Sequence, residues 1–195
     1  MTIRRLAVAP RPIVRQLPNL LCLIRIALIW PIATALAARD MRTALALFAV
    51  AAVSDGLDGY LAKRFNWTSE LGKILDPLAD KLLLVTVFVQ AAWLGLIPWW
   101  LTAAVVARDV MIGLGAGVYR LWFGPLRGLP TVLSKINTAL QLGYVGLVML
   151  YAYAAVPPHE LLDAAAAVTF ASTVLSGLHY VASYTRRVWT PARPA

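Results

Sequence analysis

Residues 54–81 read SDGLDGYLAKRFNWTSELGKILDPLADK, and they hold five of the nine acidic residues in a chain of 195. Apolar segments flank them on both sides. A charge buried among apolar groups is costly unless something pairs with it, so Asp55, Asp58, Asp76 and Asp80 need an explanation. Asp55 and Asp58 are three residues apart, and Asp76 and Asp80 are four apart. On a helix each pair shares one face. If the turn between the two helices centres on Trp67, Asp58 lies nine residues before it and Asp76 nine after, with Asp55 twelve before and Asp80 thirteen after. At ~1.5 Å of rise per residue, the four carboxylates sit at matched depth, roughly 14–20 Å from the turn. They are therefore expected to converge on one point.

Outward from this stretch the chain is 61% hydrophobic and 14% charged, well above the apolar share of about half in soluble globular chains. Six apolar segments are expected as helices at roughly 20–37, 43–62, 72–95, 98–119, 134–155 and 161–184, each long enough to span a bilayer. No period-two alternation suggests strands, and helices or closed barrels are the structures that cross lipid. The expected fold is thus all-α: a polytopic membrane protein of six transmembrane helices. It is read as one domain over 1–195, and residues 1–18 form a cytosolic interfacial amphipathic segment. No cleavable signal peptide is expected, because the first apolar run starts near Leu20 and is as long as a span.

The net charge of +9 does not point to nucleic acid, because the basic residues lie at segment ends and in short loops, which suits anionic lipid headgroups. With six spans, Arg4, Arg5, Arg11, Arg15, Lys63, Arg64, Arg120, Arg127, Lys135, Arg186, Arg187 and Arg193 share one side, and Arg39 and Arg42 lie on the other. The excess of Lys and Arg places both termini in the cytosol. Trp99, Trp100, Trp122 and Trp189 fall near span ends, where interfacial aromatics belong. The single cysteine, Cys22, excludes an internal disulfide and a cysteine-built metal site.

Charged residues inside or at the edge of spans are functional candidates: Arg25, Asp55, Asp58, Lys73, Asp76, Asp80, Lys81, Arg108 and Asp109. Four clustered carboxylates must be neutralised by protons or cations. An oxygen-only donor set, with His159 and His179 far along the chain, selects hard divalent ions such as Mg²⁺ or Mn²⁺. Gly56, Gly59 and Gly72 suit close approach of a ligand to the backbone, or tight helix packing. Salt bridges from Lys73, Lys81 and Arg64 would be a purely structural use of the acids. A divalent-cation transporter is a rival from another class, although its acids would be expected in a chain across the membrane and not at one level.

The pattern Asp55-xx-Asp58-Gly59-xx-Ala62-Lys63, eight residues, Gly72-xxx-Asp76-xxx-Asp80 closely resembles the signature of the CDP-alcohol phosphatidyltransferases, with Lys63 where the family usually has Arg. The resemblance implies transfer from a CDP-linked lipid donor to an acceptor alcohol, with CMP as the leaving group. It implies two divalent ions (Mg²⁺ or Mn²⁺) held by Asp55, Asp58, Asp76 and Asp80. Asp80 would be the catalytic base, and Gly59, Ala62, Lys63 and Gly72 would receive the CDP moiety. A homodimer is implied in the same way. Three further stretches bear on the acceptor: LPNLLCLIR with Asn19 and Arg25, ARD with Arg108 and Asp109, and PTVLSKINTALQ with Ser134 and Lys135. The last, together with SGLHY near Ser176, resembles the eukaryotic-type cardiolipin synthases of this family. That likeness implies CDP-diacylglycerol as donor and phosphatidylglycerol, an anionic phospholipid, as acceptor. Phosphatidylglycerophosphate synthesis from glycerol 3-phosphate is the alternative. Asn19, Arg25, Arg108, Ser134 and Lys135 are the acceptor-binding candidates.

Overall fold

A computed structural model describes residues 17–65, 72–123 and 131–189, with side chains at 22–56, 78–118, 121–122, 131–183 and 185. The described residues are all-α. Six helices run in order: α1 (Leu17–Ala37), α2 (Met41–Phe65), α3 (Gly72–Trp93), α4 (Trp99–Phe123), α5 (Val132–Ala154) and α6 (His159–Trp189). Each overlies one of the six apolar segments expected from sequence. The interfacial segment expected at 1–18 lies almost wholly outside the described residues.

The short connections follow from local chemistry. Arg39 takes a left-handed conformation (φ 57°) and closes α1 with paired bonds, Arg39 N–H to Leu36 O and Asp40 N–H to Ala35 O, a Schellman-type stop. Asp40 then starts α2, its Oδ1 accepting from the Thr43 N–H at 3.1 Å. Gly95, at φ 75°, ends α3 in the same way, with bonds back to Ala92 and Ala91, and Pro98 precedes α4. Thr131 caps α5 by accepting from the Ser134 N–H.

Helix α1 packs against both α2 and α3, while α4 and α5 pack against α6; α2 meets α5, and α3 meets α4 and α5. The two trios share one apolar core. Ile32 and Leu36 of α1, Phe48 of α2, Leu84, Val87 and Phe88 of α3, Leu101 and Val105 of α4, Tyr144, Val148 and Met149 of α5, and Leu162 of α6 are buried in it. These positions fall in the later parts of α1, α3 and α5 and the earlier parts of α2, α4 and α6. The core thus occupies the end of the bundle away from the α2–α3 turn. Of the buried polar groups, Arg25 on α1 and Asn137 and Gln141 on α5 lie in the complementary helix halves, while Arg108 and Asp109 on α4 and Ser172, Thr173 and Ser176 on α6 lie near mid-helix.

Among the described residues, two helices are long and apolar enough to cross a membrane, at Trp99–Val118 and His159–Ser183, and α1 carries a shorter apolar stretch, Cys22–Ala37. The others carry more polar side chains: Asp55 on α2, Asp80 and Lys81 on α3, and Lys135, Asn137 and Gln141 on α5.

Candidate active site

Arg25 organises the acids. Its side chain is 1% exposed, and it reaches from α1 to Asp55 on α2 (Nη2 to Oδ1, 3.0 Å) and to Asp80 on α3 (Nη1 to Oδ1, 2.6 Å). One guanidinium therefore bridges the two helices of the aspartate stretch, with α1 packed against both. The planar fork of Arg suits two carboxylates in a way a single ammonium does not. Asp55 and Asp80 come to one level, as counting from Trp67 predicts. Their side chains remain 41% and 33% exposed, so a ligand can reach them. A cavity of about 20 Å³, lined by Arg25, Asp55, Asp80 and Thr138 over an apolar floor of Leu83 and Leu84, lies between them.

The other two aspartates, Asp58 and Asp76, lie on the described backbone of α2 and α3, but their side chains are outside the described residues, as are those of Asn19, Gly59, Ala62, Lys63 and Gly72. Helical spacing places Asp58 on the face of Asp55, and Asp76 on that of Asp80.

A second polar cluster joins three more helices. Arg108 on α4 is 4% exposed. Its Nη1 donates to Asp109 Oδ1 at 2.7 Å, and its Nη2 donates to Ser134 Oγ of α5 and Ser176 Oγ of α6, each at 2.6 Å. Lys81, next in sequence to Asp80, donates to the same Asp109 carboxylate. Of the acceptor candidates, Arg108 and Ser134 are therefore brought into contact. Lys135 is exposed on α5, and Arg25 belongs to the aspartate cluster. Lys81, named above as a possible partner of the four aspartates, pairs with Asp109.

A third cluster lies between α5 and α6. Asn137 Oδ1 accepts from Ser172 Oγ (2.8 Å) and Thr173 Oγ1 (3.0 Å), and Gln141 Nε2 donates to Thr173 Oγ1 (3.3 Å). Sequence reading passes over Ser172 and Thr173. The available signal is periodic: Thr169, Ser172, Thr173 and Ser176 follow i, i+3, i+4, i+7 along an otherwise apolar α6, marking a polar stripe on one face.

The model of the CDP-alcohol phosphatidyltransferase family matches residues 15–182, a span that contains the aspartate stretch and all three clusters. The chain belongs to the CDP-alcohol phosphatidyltransferase family. It is 34% identical to the cardiolipin synthase (CMP-forming) of Rattus norvegicus over 183 residues, which is 84% of this chain and 61% of the relative. The Homo sapiens protein of that name matches to the same extent. The chain thus spans about three-fifths of the length of these curated relatives. A probable phosphatidylglycerophosphate synthase of Mycobacterium tuberculosis is 32% identical over 194 residues, covering 93% of this chain and 87% of that one.

Members of this family generally depend on a divalent metal. The described residues fit one: Asp55 and Asp80 offer oxygen donors alone, drawn together by Arg25 and partly exposed. Among the described residues no three metal-ligating side chains gather; the side chains of Asp58 and Asp76 lie outside the described residues.

Proposed function

We propose that this chain is a cardiolipin synthase: it transfers the phosphatidyl group of CDP-diacylglycerol to phosphatidylglycerol and releases CMP. The observation that carries this reading is the meeting of Asp55 and Asp80 around Arg25 within the matched family segment. The names of the rat and human relatives support the choice of product.

In the proposed reaction the acceptor hydroxyl attacks the phosphatidyl phosphorus. The new O–P bond forms, the P–O bond to CMP breaks, and the hydroxyl proton passes to Asp80. General-base removal of that proton contributes ~10²–10⁴-fold. Arg25 orients the Asp80 carboxylate for the transfer. Asp55, Asp58, Asp76 and Asp80 would hold two divalent ions, Mg²⁺ or Mn²⁺, which supply charge neutralisation at the diphosphate. Gly59, Ala62, Lys63 and Gly72 on α2 and α3 would receive the CDP moiety. Arg108 and Ser134, with Lys135, Asn19 and Arg25, would face the acceptor phosphate.

The whole chain is read as a single membrane domain of six spans with 1–18 at the interface, both termini in the cytosol and two copies forming a homodimer. Many large apolar side chains exposed along the helices, among them Trp30, Val53, Leu114, Trp122, Leu175 and Leu178, support the bilayer setting. The net basic charge suits anionic lipid. A guanidinium set between two of the acids is poorly suited to a cation path, which weighs against the transporter alternative.

A second reading, phosphatidylglycerophosphate synthesis from glycerol 3-phosphate, is favoured by the Mycobacterium tuberculosis relative, whose match runs over nearly the whole of both chains. One experiment separates the two. Purified protein in detergent is given CDP-diacylglycerol, Mg²⁺ or Mn²⁺, and either acceptor, with CMP and lipid products read by mass spectrometry. Cardiolipin from phosphatidylglycerol, and little product from glycerol 3-phosphate, is expected. Product from glycerol 3-phosphate alone transfers the assignment to the second reading, and no CMP with either acceptor refutes both.

A further inference from the structure

A cavity of about 810 Å³ lies away from the aspartates. It lies at the opposite end of the bundle, where α3 ends, α4 begins, α5 ends and α6 begins. Trp93, Trp99, Tyr144, Tyr151, His159 and Asp163 all line it, and its lining includes no Lys or Arg. The rings brace one another: Trp93 and Trp99 meet edge to face at 6.3 Å, and Tyr151 and His159 at 5.7 Å. Asp163 Oδ2 lies 3.3 Å from His159 Nδ1, and the Asp163 side chain is 76% exposed. An aromatic belt at a membrane interface accounts for exposed tryptophans. It does not account for a concave wall of six aromatic or imidazole rings, Trp100 among them, closed by a carboxylate.

Aromatic faces with a carboxylate and no Lys or Arg favour an organic cation. We infer that this cavity is a binding site for the ammonium-bearing headgroup of a zwitterionic membrane phospholipid. The cavity is at the level where the spans end, so headgroups are the cations at hand in quantity. Its volume exceeds what an ammonium group fills and leaves room for the adjoining phosphate at the open rim. An anionic headgroup without an amine meets the Asp163 charge with repulsion. The site would thus prefer a lipid class different from the anionic acceptor proposed at the other end. The inference rests on the membrane reading above; it does not depend on the acceptor or on turnover.

The test uses the full chain in maltoside detergent. Short-chain phosphatidylethanolamine, phosphatidylcholine and phosphatidylglycerol are titrated separately, and binding is followed by tryptophan emission and by native mass spectrometry. Saturable binding of an amine-bearing lipid, at least about fivefold tighter than phosphatidylglycerol, is expected, with tetramethylammonium competing at higher concentration. Asp163→Asn and Trp99→Ala should each weaken binding about tenfold, in the range of a cation–π or charge contact. Trp99→Phe should retain most of it. CMP release should be unchanged in all three variants. Equal binding of phosphatidylglycerol, or an Asp163→Asn variant that melts and binds as the parent does, would overturn the inference. So would tetramethylammonium binding as tightly as the lipid, which would indicate a site for a soluble cation. If lipid binding behaves as expected and no CMP is formed, the proposed function fails and this site stands.

Discussion

At Asp80 two demands meet in one side chain. It accepts a charged hydrogen bond from Arg25 at 2.6 Å, and it is proposed to take a proton from the acceptor. Asp80→Asn keeps the shape and removes the basicity, so CMP release should fall by at least ~10²-fold; a variant retaining more than about a tenth of the parent rate refutes the base assignment. Arg25 answers to a different measurement. Arg25→Gln leaves two acids facing each other without their shared cation. Removing one partner of a fully buried ion pair costs ~3–5 kcal/mol. Because Asp55 and Asp80 are 41% and 33% exposed, solvent screening reduces that to about 2 kcal/mol. A lower melting temperature in detergent is expected, with Arg25→Lys falling between Gln and the parent because one ammonium replaces the fork. If Arg25→Gln melts with the parent, the bridge contributes nothing to the fold. The aspartate level was legible in sequence because helical counting fixes depth. The identity of the bridging cation was not. Arg25 lies 55 residues from Asp80, and only the packing of α1 against both α2 and α3 brings it there.

The helices themselves were legible from their apolar runs, and two of the joints are spelled out by the chain: Gly95 then Pro98 before α4, and Pro157 and Pro158 before α6. The α1–α2 joint is less obvious, since Arg39 takes the left-handed position that Gly usually holds. Asp40 beside it offers a pH test. Hydrogen bonds from the Thr43 side chain and backbone hold its carboxyl below the ordinary value of 3.8. A depressed folded-state pKa contributes stability that is present above the unfolded value and lost as pH falls through the folded one. The parent should therefore lose stability relative to Asp40→Asn as pH is lowered from about 5 towards 3, because Asn caps without titrating. The difference between the two melting curves reads this directly, and curves that stay parallel across the window contradict it. Partners across helices were harder to foresee than ends. Counting along α4 puts Asp109 nearer mid-helix than the aspartates, yet Lys81 reaches it. The hydroxyls of α6 could have been read as a stripe from their spacing.

Across the whole molecule, apolar packing dominates one end, and the polar clusters run from mid-bundle towards the other. In a bilayer, apolar side chains gain little by leaving lipid for one another, so cohesion comes from close contact and from hydrogen bonds between helices, on average ~0.6 kcal/mol each. The Asn137–Ser172–Thr173–Gln141 group and the Arg108 cluster supply such bonds among α4, α5 and α6 near the middle of the bundle, and Phe88, Leu101 and Val148 supply contact towards the apolar end. The chemistry is proposed for the end where the backbone is held by polar groups. Chelation of divalent ions should accordingly stop CMP release while leaving helical circular dichroism unchanged. A large loss of helix on chelation would assign the metal to the fold as well.

The guanidinium between Asp55 and Asp80 also bears on how the chain enters a membrane during synthesis. Arg25 is made long before either aspartate, and an unneutralised Arg at a helix centre costs ~2.5–3.5 kcal/mol to insert. Helix α1 should therefore settle poorly when it emerges alone and gain its place only when α2 and α3 bring their acids. Nascent chains stalled so that Phe65 or Trp93 has just cleared the insertion machinery can be compared by alkaline extraction. The longer chain should resist extraction better than its added apolar length explains, and Asp80→Asn in it should reverse much of that gain. If both lengths extract alike, the first helix inserts without help, and the bridge forms only after all three are in place.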